Sequence, residues 1–432
     1  IQIVEGAQSQ AIPAQKDELE RLARMMGFKD ADEKKAGEFF WEEYKERTSA
    51  IHEVYRSLFY KHDDGAGVPK EIQLLFLPEI SEMEATGTLC GLGFKDGTAA
   101  YKNLVLIRTG PPFVHLSAKA RVLLQKLGPL FLSKAASSPD PDKSLKNLER
   151  FLSSIGARTT FYSLLAENPL VTDELLKLFG TSEFLSRSLI ERPGGLDLLL
   201  SKELAIPYKT RGEVFETVSK ETSLHGDYEE RLDALRRVKN QEILRIGIND
   251  VRGALTERAV SRQITFVAEA TLASAIDISS AELIRRYGGP GEARFVVLGL
   301  GKLGGGELMY GSDLDVVFVY SDSLDARTTG PKSITTHEFF VKLAQRIISV
   351  LTLRTREGFV FNVDARLRPS GSSGPLVISR EAFLGYHASK TQVWERQAIV
   401  RARPIAGDLE FGKEVLNGLF ELAYGKPLTP ED

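Results

Sequence analysis

A glycine-rich segment between two apolar runs constrains this chain more than any other feature of its sequence. The runs at 295–300 and 315–320 predict buried strands, because each is short and almost wholly apolar. Between them, glycines stand at positions 299, 301, 304, 305, 306 and 311. The crossover helix of a parallel βαβ unit needs about ten residues or more, and this connection has no such uninterrupted stretch. The segment therefore predicts a tight glycine-rich turn rather than a crossover.

The same glycines also match a fingerprint of dinucleotide-binding proteins. Gly299, Gly301 and Gly304 have the G-x-G-x-x-G spacing that follows the first strand of such folds. The missing crossover helix argues against this interpretation. An NAD-binding domain remains an alternative, and it predicts cofactor binding that does not require a divalent cation.

Acidic residues follow the glycine-rich turn where the second strand begins. Asp313 and Asp315 should point to the same side, because side chains alternate along a strand. Two neighbouring carboxylates repel each other unless a cation lies between them, and oxygen ligands without His or Cys favour Mg²⁺. A third carboxylate, Asp364, ends another apolar segment, for which we predict a strand over 358–364. Three acids from two strands can hold two metal ions, although an isolated Asp-x-Asp pair is more often a solvated turn or a helix cap.

Composition excludes several classes of protein. The net charge of −3 gives no basic field for nucleic acid, so we expect no nucleic-acid partner. The single cysteine, Cys90, excludes an internal disulfide framework and a thiolate metal cluster, and it fits the cytoplasm. No apolar run is long enough to cross a bilayer, so we expect no membrane association. The chain does not begin with methionine, and we interpret it as a fragment of a longer protein.

Helical periodicity dominates before residue 288, and strands alternate with helices after it. The sequence therefore predicts an α+β fold, with a large helical N-terminal region followed by a small mixed-sheet domain. One long helical stretch is expected over about 228–278, and short helices over 380–388, 392–402 and 408–423. The predicted regions are a helical tail of a preceding domain (1–62), a linker and helical region (63–136), a helical region (137–287), the mixed-sheet domain (288–407) and the start of a truncated helical region (408–432).

Several motifs, in a fixed order, resemble one known family. The turn glycines, Ser312-Asp313-Leu314-Asp315 and Asp364 resemble the DNA polymerase β-like nucleotidyltransferase superfamily. A narrower resemblance, over about 145–407, is to glutamine synthetase adenylyltransferase. The segments that carry it are 301–308, 312–315, 363–369 (Val-Asp-Ala-Arg-Leu-Arg-Pro), 374–377, 394–398 (Trp-Glu-Arg-Gln-Ala) and 401–403.

The resemblance implies a nucleotidyltransferase that moves AMP from ATP to a tyrosine of glutamine synthetase and so regulates nitrogen assimilation. It implies that Asp313, Asp315 and Asp364 are catalytic and bind metal, with two Mg²⁺ ions expected and ATP as substrate. Asp364 would also help to activate the tyrosine hydroxyl, whose reference pKa of about 10 is too high for neutral pH.

Six further residues are candidates for binding the nucleotide. Gly304, Gly305 and Ser312 would cradle phosphates, although a tight turn explains them equally well. Lys302 could reach a phosphate or be solvated. Arg366 and Arg368 alternate after Asp364, so we place them on its face as phosphate or substrate ligands, the alternative being a salt bridge to Glu307 or Glu395. We place Arg401 and Arg403 on the following helix, with a role in structure or in contact with the protein substrate.

The family carries two catalytic halves in one chain, which attach and remove AMP. Residues 1–28 resemble the tail of the first half, which makes this catalytic domain the second, adenylylating half. The alternatives are the half that removes AMP by phosphorolysis, releasing ADP, and a catalytically silent regulatory module. The resemblance also implies a PII signalling protein as partner and glutamine as effector.

Overall fold

The computed structural model describes residues 12–13, 15–31, 34–59, 68–77, 80–110, 114–321 and 326–424. The chain divides into two compact units, residues 1–70 and 71–432. The first unit contains helices α1 (Lys16–Met25) and α2 (Ala36–Phe59). Helix α1 stops at Gly27, whose φ of +92° lies in the left-handed region that glycine tolerates best. Part of the predicted linker, and the end of the region predicted over 408–432, lie outside the described residues.

The second unit begins with helices, as the periodicity predicts. These helices are α3 (Lys70–Leu74), α4 (Glu82–Gly91), α5 (Gly97–Thr109), α6 (Ala118–Ala136), α7 (Pro141–Ile155), α8 (Thr159–Glu167), α9 (Pro169–Thr181), α10 (Glu183–Glu191), α11 (Leu196–Leu200), α12 (Arg211–Ser223), α13 (Tyr228–Val251) and α14 (Glu257–Tyr287). The single long helix expected over 228–278 is wrong. Gly253, with φ +71°, separates α13 from α14, and the Thr256 hydroxyl caps α14 by accepting a hydrogen bond from the Ala259 N–H.

A five-stranded sheet follows. Its elements are β1 (Phe295–Gly299), α15 (Gly301–Gly305), β2 (Leu314–Tyr320), α16 (Thr336–Thr352), β3 (Val363–Asp364), β4 (Val377–Ser379), α17 (Arg380–Ser389), α18 (Val393–Ile399), β5 (Arg403–Gly407) and α19 (Leu409–Tyr424). Strand β1 pairs antiparallel with β2 and β5, and β2 pairs parallel with β3 and then with β4. The predicted α+β fold class is confirmed.

The strand predicted over 358–364 is mostly not a strand. The Val360 and Phe361 N–H groups both donate to the Leu351 carbonyl at the end of α16, and Gly358 pairs with Thr355. Only Val363 and Asp364 are left to pair with β2. Strands β4 and β5 were not expected from the sequence, because each is short and lies between helices.

The sheet is covered on both faces. Val297, Val316 and Phe318 belong to a core that also contains residues of α12, α13, α14 and α16. Val296, Leu298, Val317 and Val319 face the opposite side and pack with residues of α17 and α19. Helices α12, α13, α14 and α16 therefore share one core with the sheet, and α17 and α19 cover its other face. These two layers fix the ends of β1 and β2.

Helix α14 is, by length and composition alone, apolar enough to cross a membrane. Its most apolar window is 72% buried inside the protein. A core helix of a folded domain has the same properties, so this feature is weak evidence for a membrane span.

Arg236 of α13 joins the helical layer to the chain that leads to the predicted site. Its side chain is fully buried and donates to the carbonyls of Leu232, Val350, Leu353 and Gly358 at 2.6–3.2 Å. Burial lowers the pKa of the guanidinium, and the carbonyl dipoles offset part of that cost. The end of α16 is thereby held against α13.

We expect Arg236→Met to lower the free energy of unfolding by about 3 kcal/mol, because several buried carbonyls lose their donor. The neighbouring Arg237 is exposed, and Arg237→Met should change stability by less than about 0.5 kcal/mol. Thermal unfolding of both variants, at equal protein concentration, tests the difference. Equal midpoints for the two variants would contradict this role.

His387 of α17 makes stability depend on pH. It is 9% exposed, its Nδ1 lies 2.5 Å from the Thr391 hydroxyl, and burial lowers its pKa to about 4. In the unfolded state a histidine has a pKa near 6.5, so between pH 6.5 and 4 the unfolded state binds more protons than the folded state. The free energy of unfolding therefore decreases as the pH is lowered through that range. When the pH is lowered over this range, the free energy of unfolding of His387→Gln should decrease by about 1–2 kcal/mol less than that of the wild type. Urea unfolding at a series of pH values measures this difference. The exposed His115 supplies the control, since His115→Gln should leave the pH profile unchanged.

Candidate active site

The pairing of β2 with β3 brings two of the predicted acids together. Asp315 and Asp364 are partners in the parallel register, so their side chains lie on the same face of the sheet. The pairing is anchored by Leu314, whose N–H donates to the Asn362 carbonyl at 2.9 Å. Leu314 itself is buried in the core, which fixes the direction of Asp315 on the other face.

Asp313 lies just before β2 and is exposed. Its Oδ1 accepts a hydrogen bond from the Asn362 side-chain amide at 3.0 Å. Asp313 and Asp315 are two residues apart at the start of the strand, and the charge of each raises the site's negative potential. All three predicted acids therefore lie at one end of the paired strands.

The electrostatics of the site differ from one carboxylate to the next. Burial raises the pKa of Asp315, and the nearby charges of Asp364 and Asp313 raise it further. The hydrogen bonds from Arg366 lower the pKa of Asp364, in spite of partial burial. Like charges crowd around Asp315, and this is the environment in which a bound cation is most stabilising.

Arg366 is the cation that the structure places against Asp364. Its Nε and Nη2 donate to the two carboxylate oxygens at 3.0 and 2.5 Å, and its backbone N–H donates to Oδ1 at 2.9 Å. The Arg366 side chain is 78% exposed. The salt bridge considered from the sequence, to Glu307 or Glu395, is not formed: Glu307 pairs with Arg401, and Glu395 accepts from Tyr386.

The strand-like alternation expected for Arg366 and Arg368 is wrong, because β3 ends at Asp364 and the chain turns. Arg366 reaches Asp364 through this turn. Arg368 instead donates to the backbone carbonyls of Ala365, Ser372 and Gly374 at 2.6–3.1 Å. Arg368 therefore braces the loop that follows Asp364.

The glycine-rich turn contains the short helix α15. The first residue of α15, Gly301, lies against Asp315. Gly301 has φ +52°, and a Cβ at this position would lie 2.5 Å from Oδ2 of Asp315. Only glycine allows this close approach without displacing the carboxylate. Lys302 is exposed, and its positive charge lowers the pKa of Asp315, so it lies within electrostatic range of the acids.

Gly304 and Gly305 lie farther along the turn. The Gly304 N–H donates to the Leu300 carbonyl at 2.8 Å, and a Cβ on Gly304 would lie 2.1 Å from the Arg401 carbonyl oxygen. The Ser312 hydroxyl accepts a hydrogen bond from the Met309 N–H at 3.0 Å and stabilises the turn before Asp313. The structure gives these three residues a place in the turn, and their contact with phosphate stays a prediction.

A cleft of about 820 Å³ opens on the far side of the turn. It is lined by Gly304, Gly305 and Gly306 on one side and by α14 on the other, with Arg403 at its edge. The placement of Arg401 and Arg403 on a helix, expected from the sequence, is wrong. Helix α18 ends at Ile399, and Arg403 begins β5, because that segment pairs with β1.

The donor set agrees with Mg²⁺ in its chemistry. All three candidate ligands are carboxylates, and the repulsion between Asp315 and Asp364 is relieved by a cation. In the described part of the chain, no three His, Cys, Asp or Glu side chains are close enough to hold a metal as they stand. Both oxygens of Asp364 are occupied by Arg366, so metal binding requires that this ion pair opens.

Sequence reasoning gave Asn362 no role, named Gly301 only as part of a glycine motif, and gave Arg403 a general role in structure or in contact with the protein substrate. Asn362 bonds to Asp313, Gly301 contacts Asp315, and Arg403 donates to carbonyls of α15. Gly301 could have been found from the sequence, because it is the first glycine after β1. The contact of Arg403 with α15 spans 99 residues and carries no local signal.

We expect Gly301→Ala to destabilise the protein more than Gly306→Ala does. Both glycines have positive φ, which costs about 1 kcal/mol for alanine, but only a methyl group at Gly301 would collide with Asp315. A methyl group at Gly306 would have no atom within 4 Å, which makes Gly306→Ala a matched control. Urea unfolding should show an additional loss of about 2 kcal/mol for Gly301→Ala. Equal losses would show that Asp315 is not in contact with the turn.

Two sequence profiles of known families match this chain. Residues 172–418 match the sequence profile of the glutamate-ammonia ligase adenylyltransferase family, and residues 1–59 match that of the GlnD PII-uridylyltransferase family.

The chain also resembles curated proteins named bifunctional glutamine synthetase adenylyltransferase/adenylyl-removing enzyme. It is 34% identical to the one from Thioalkalivibrio sulfidiphilus and 33% identical to the one from Hahella chejuensis, in each case over 94% of this chain and 43% of the relative. The Nitrosococcus oceani protein of the same name is 32% identical, over 95% of this chain and 43% of the relative. The chain spans less than half the length of these relatives. Because the first profile covers more than half of the sequence, this chain belongs to the glutamate-ammonia ligase adenylyltransferase family.

Proposed function

We propose that this chain is the adenylylating part of a glutamine synthetase adenylyltransferase. It would transfer AMP from ATP to a tyrosine hydroxyl of glutamine synthetase and release pyrophosphate. The observation that carries the proposal is the pairing of Asp315 with Asp364 in the strand register. Gly301 of the glycine-rich turn lies against the same Asp315 carboxylate. Two acids from adjacent strands beside a glycine-rich turn form a site suited to a metal-bound triphosphate.

Asp313, Asp315 and Asp364 are the residues that would hold Mg²⁺, with two ions expected. When bound, the metal neutralises charge on the triphosphate and makes the attacking hydroxyl easier to deprotonate. Asp315 is half-buried, so water screens its charge less than it screens a fully exposed charge. Charges near Asp315 therefore interact more strongly than they would in water.

Arg366 changes partner in this proposal. It neutralises Asp364 in this structure, and its exposed side chain is free to rotate toward a phosphate when the carboxylate binds a cation. Lys302 adds positive charge on the same side. Arg368 keeps the loop after Asp364 in place through its backbone contacts, so its role is to support the site rather than to bind phosphate.

The remaining roles come from orientation. In-line attack needs the tyrosine oxygen, the α-phosphorus and the leaving pyrophosphate to be aligned, and fixed placement of both substrates supplies much of the rate enhancement. The buried core under Leu314 and the close contact at Gly301 hold the acids and the turn at a fixed separation.

The assignment to the adenylylating half rests on the N-terminal segment. Residues 1–59 match a profile different from that of the catalytic segment, which supports a preceding helical region that belongs to another half. The names of the relatives cover both addition and removal of AMP, so the reverse reaction is the alternative. A PII signalling protein, glutamine as effector and a cytoplasmic location belong to the same proposal.

We expect Asp315→Asn to reduce AMP transfer by roughly a hundredfold or more, because the site loses a metal-binding charge. The assay supplies glutamine synthetase, Mg²⁺ and ATP labelled at the α-phosphate, and mass spectrometry locates the modified residue. Asp197, an exposed carboxylate of α11, provides the control: Asp197→Asn should leave transfer unchanged. Thermal unfolding confirms that both variants fold.

The same preparation also separates the two directions of reaction. Adenylylated glutamine synthetase is incubated with phosphate, and ADP is measured. ADP release without AMP transfer would assign the chain to the removing half. Absence of both reactions in the wild type would contradict an enzymatic role, and full activity of Asp315→Asn would contradict the proposed site.

A further inference from the structure

Glu269 is a buried carboxylate at the junction between the helical layer and the sheet. It lies on α14 and is 1% exposed, although a charge is costly to bury without partners. Two arginines meet it: Arg211 of α12 donates to Oε2 at 2.7 Å, and Arg403 of β5 donates to Oε1 at 2.5 Å. The carboxylate is thus held by one cation from the helices and one from the sheet.

The two arginines differ in what else they contact. Arg211 stacks on the Phe215 ring, with 4.2 Å between the guanidinium carbon and the ring centroid. Arg403 instead donates through Nε to the Gly304 carbonyl and through Nη2 to the Leu303 carbonyl, both at 3.2 Å. Both carbonyls belong to the last residues of α15, and the Leu303 carbonyl also accepts a hydrogen bond from the Gly306 N–H at 3.2 Å. Of these two arginines, Arg403 is the one that connects Glu269 to the glycine-rich turn.

Contacts at both ends confine the turn. At its far end, Gly304 packs so closely on the backbone that an added Cβ would lie 2.1 Å from the Arg401 oxygen and 2.6 Å from the Gly299 oxygen. At its near end, Gly301 contacts the carboxylate of Asp315. Helix α15 is only five residues long, so a shift at Leu303 and Gly304 also moves Gly301.

We infer that Arg403, anchored by Glu269, is a positioning residue that sets the distance between the glycine-rich turn and Asp315. It does not contact the acids itself, and it acts through Leu303 and Gly304. The inference rests on the proposed function, because it assumes that the turn and Asp315 bind the nucleotide together. It assigns to the helical layer a direct part in the geometry of the site, since Glu269 belongs to that layer.

The test compares Arg403→Met with Arg211→Met. Each removes one cation from Glu269, but only the first also removes the donors to α15. We expect Arg403→Met to raise the KM for ATP roughly tenfold and to lower kcat, with Arg211→Met staying within about twofold of the wild type in KM. Arg403→Lys keeps the charge but replaces the planar guanidinium, whose nitrogens point at separate acceptors, with a single ammonium nitrogen, so its KM should be intermediate.

Hydrogen exchange supplies a readout that is independent of activity. Amide exchange over residues 300–306 should accelerate in Arg403→Met and stay near the wild-type rate in Arg211→Met. The same KM for ATP in both variants, or the same exchange rates in the turn, would overturn the inference. If Arg403→Met does not fold, the comparison of Arg403→Lys with Arg211→Lys decides by the same criteria.

The outcomes distinguish this inference from the proposed function. A wild-type chain that neither binds Mg-ATP nor transfers AMP contradicts the function, whatever Arg403 does. A wild type that transfers AMP, together with a KM that is insensitive to Arg403, contradicts only the positioning role.

Discussion

Repulsion between neighbouring carboxylates is the constraint on which this site depends. Strand pairing places Asp315 beside Asp364, with Asp313 at the same end, and burial strengthens the repulsion felt by Asp315. Arg366 forms an ion pair with Asp364 and so neutralises one of these charges. Among the described residues, Asp315 is left without a paired cation of its own, and the arginine next to it is exposed, which is the arrangement that the proposed binding of a divalent cation requires.

The helical layer also contains charged side chains that are buried and therefore need partners. Glu242 and Arg245 are buried and paired, with Lys209 and Gln263 completing their hydrogen bonds. Glu269 and Arg236 are buried at the boundary with the sheet, and both have partners there. A shift of these helices would leave a buried charge without its partner, which is strongly destabilising. The helical layer therefore contributes paired buried charges to the fold as well as apolar contacts.

Membership in the adenylyltransferase family agrees with this architecture. The matched segment 172–418 includes the last helices of the helical layer as well as the sheet. The shared core of α12–α14 with β1 and β2 gives a structural reason for that extent, because the sheet would expose one face without those helices. The family segment therefore includes the helices that cover the sheet as well as its strands.

Local patterns were enough to determine the α+β class, the glycine-rich turn, the two acids at the start of β2 and the acid at the end of β3. Each of these depends on residues close together in sequence: apolar periodicity, glycine spacing, and alternation along a strand. Tertiary structure alone decided where the predicted third strand shortened, how Arg366 and Arg368 diverged, and that Arg403 lies in a strand. Those features arise from hydrogen bonds between segments far apart in the chain, such as Arg403 with Gly304 and Arg236 with Gly358. A local pattern contains no information about which distant groups will meet.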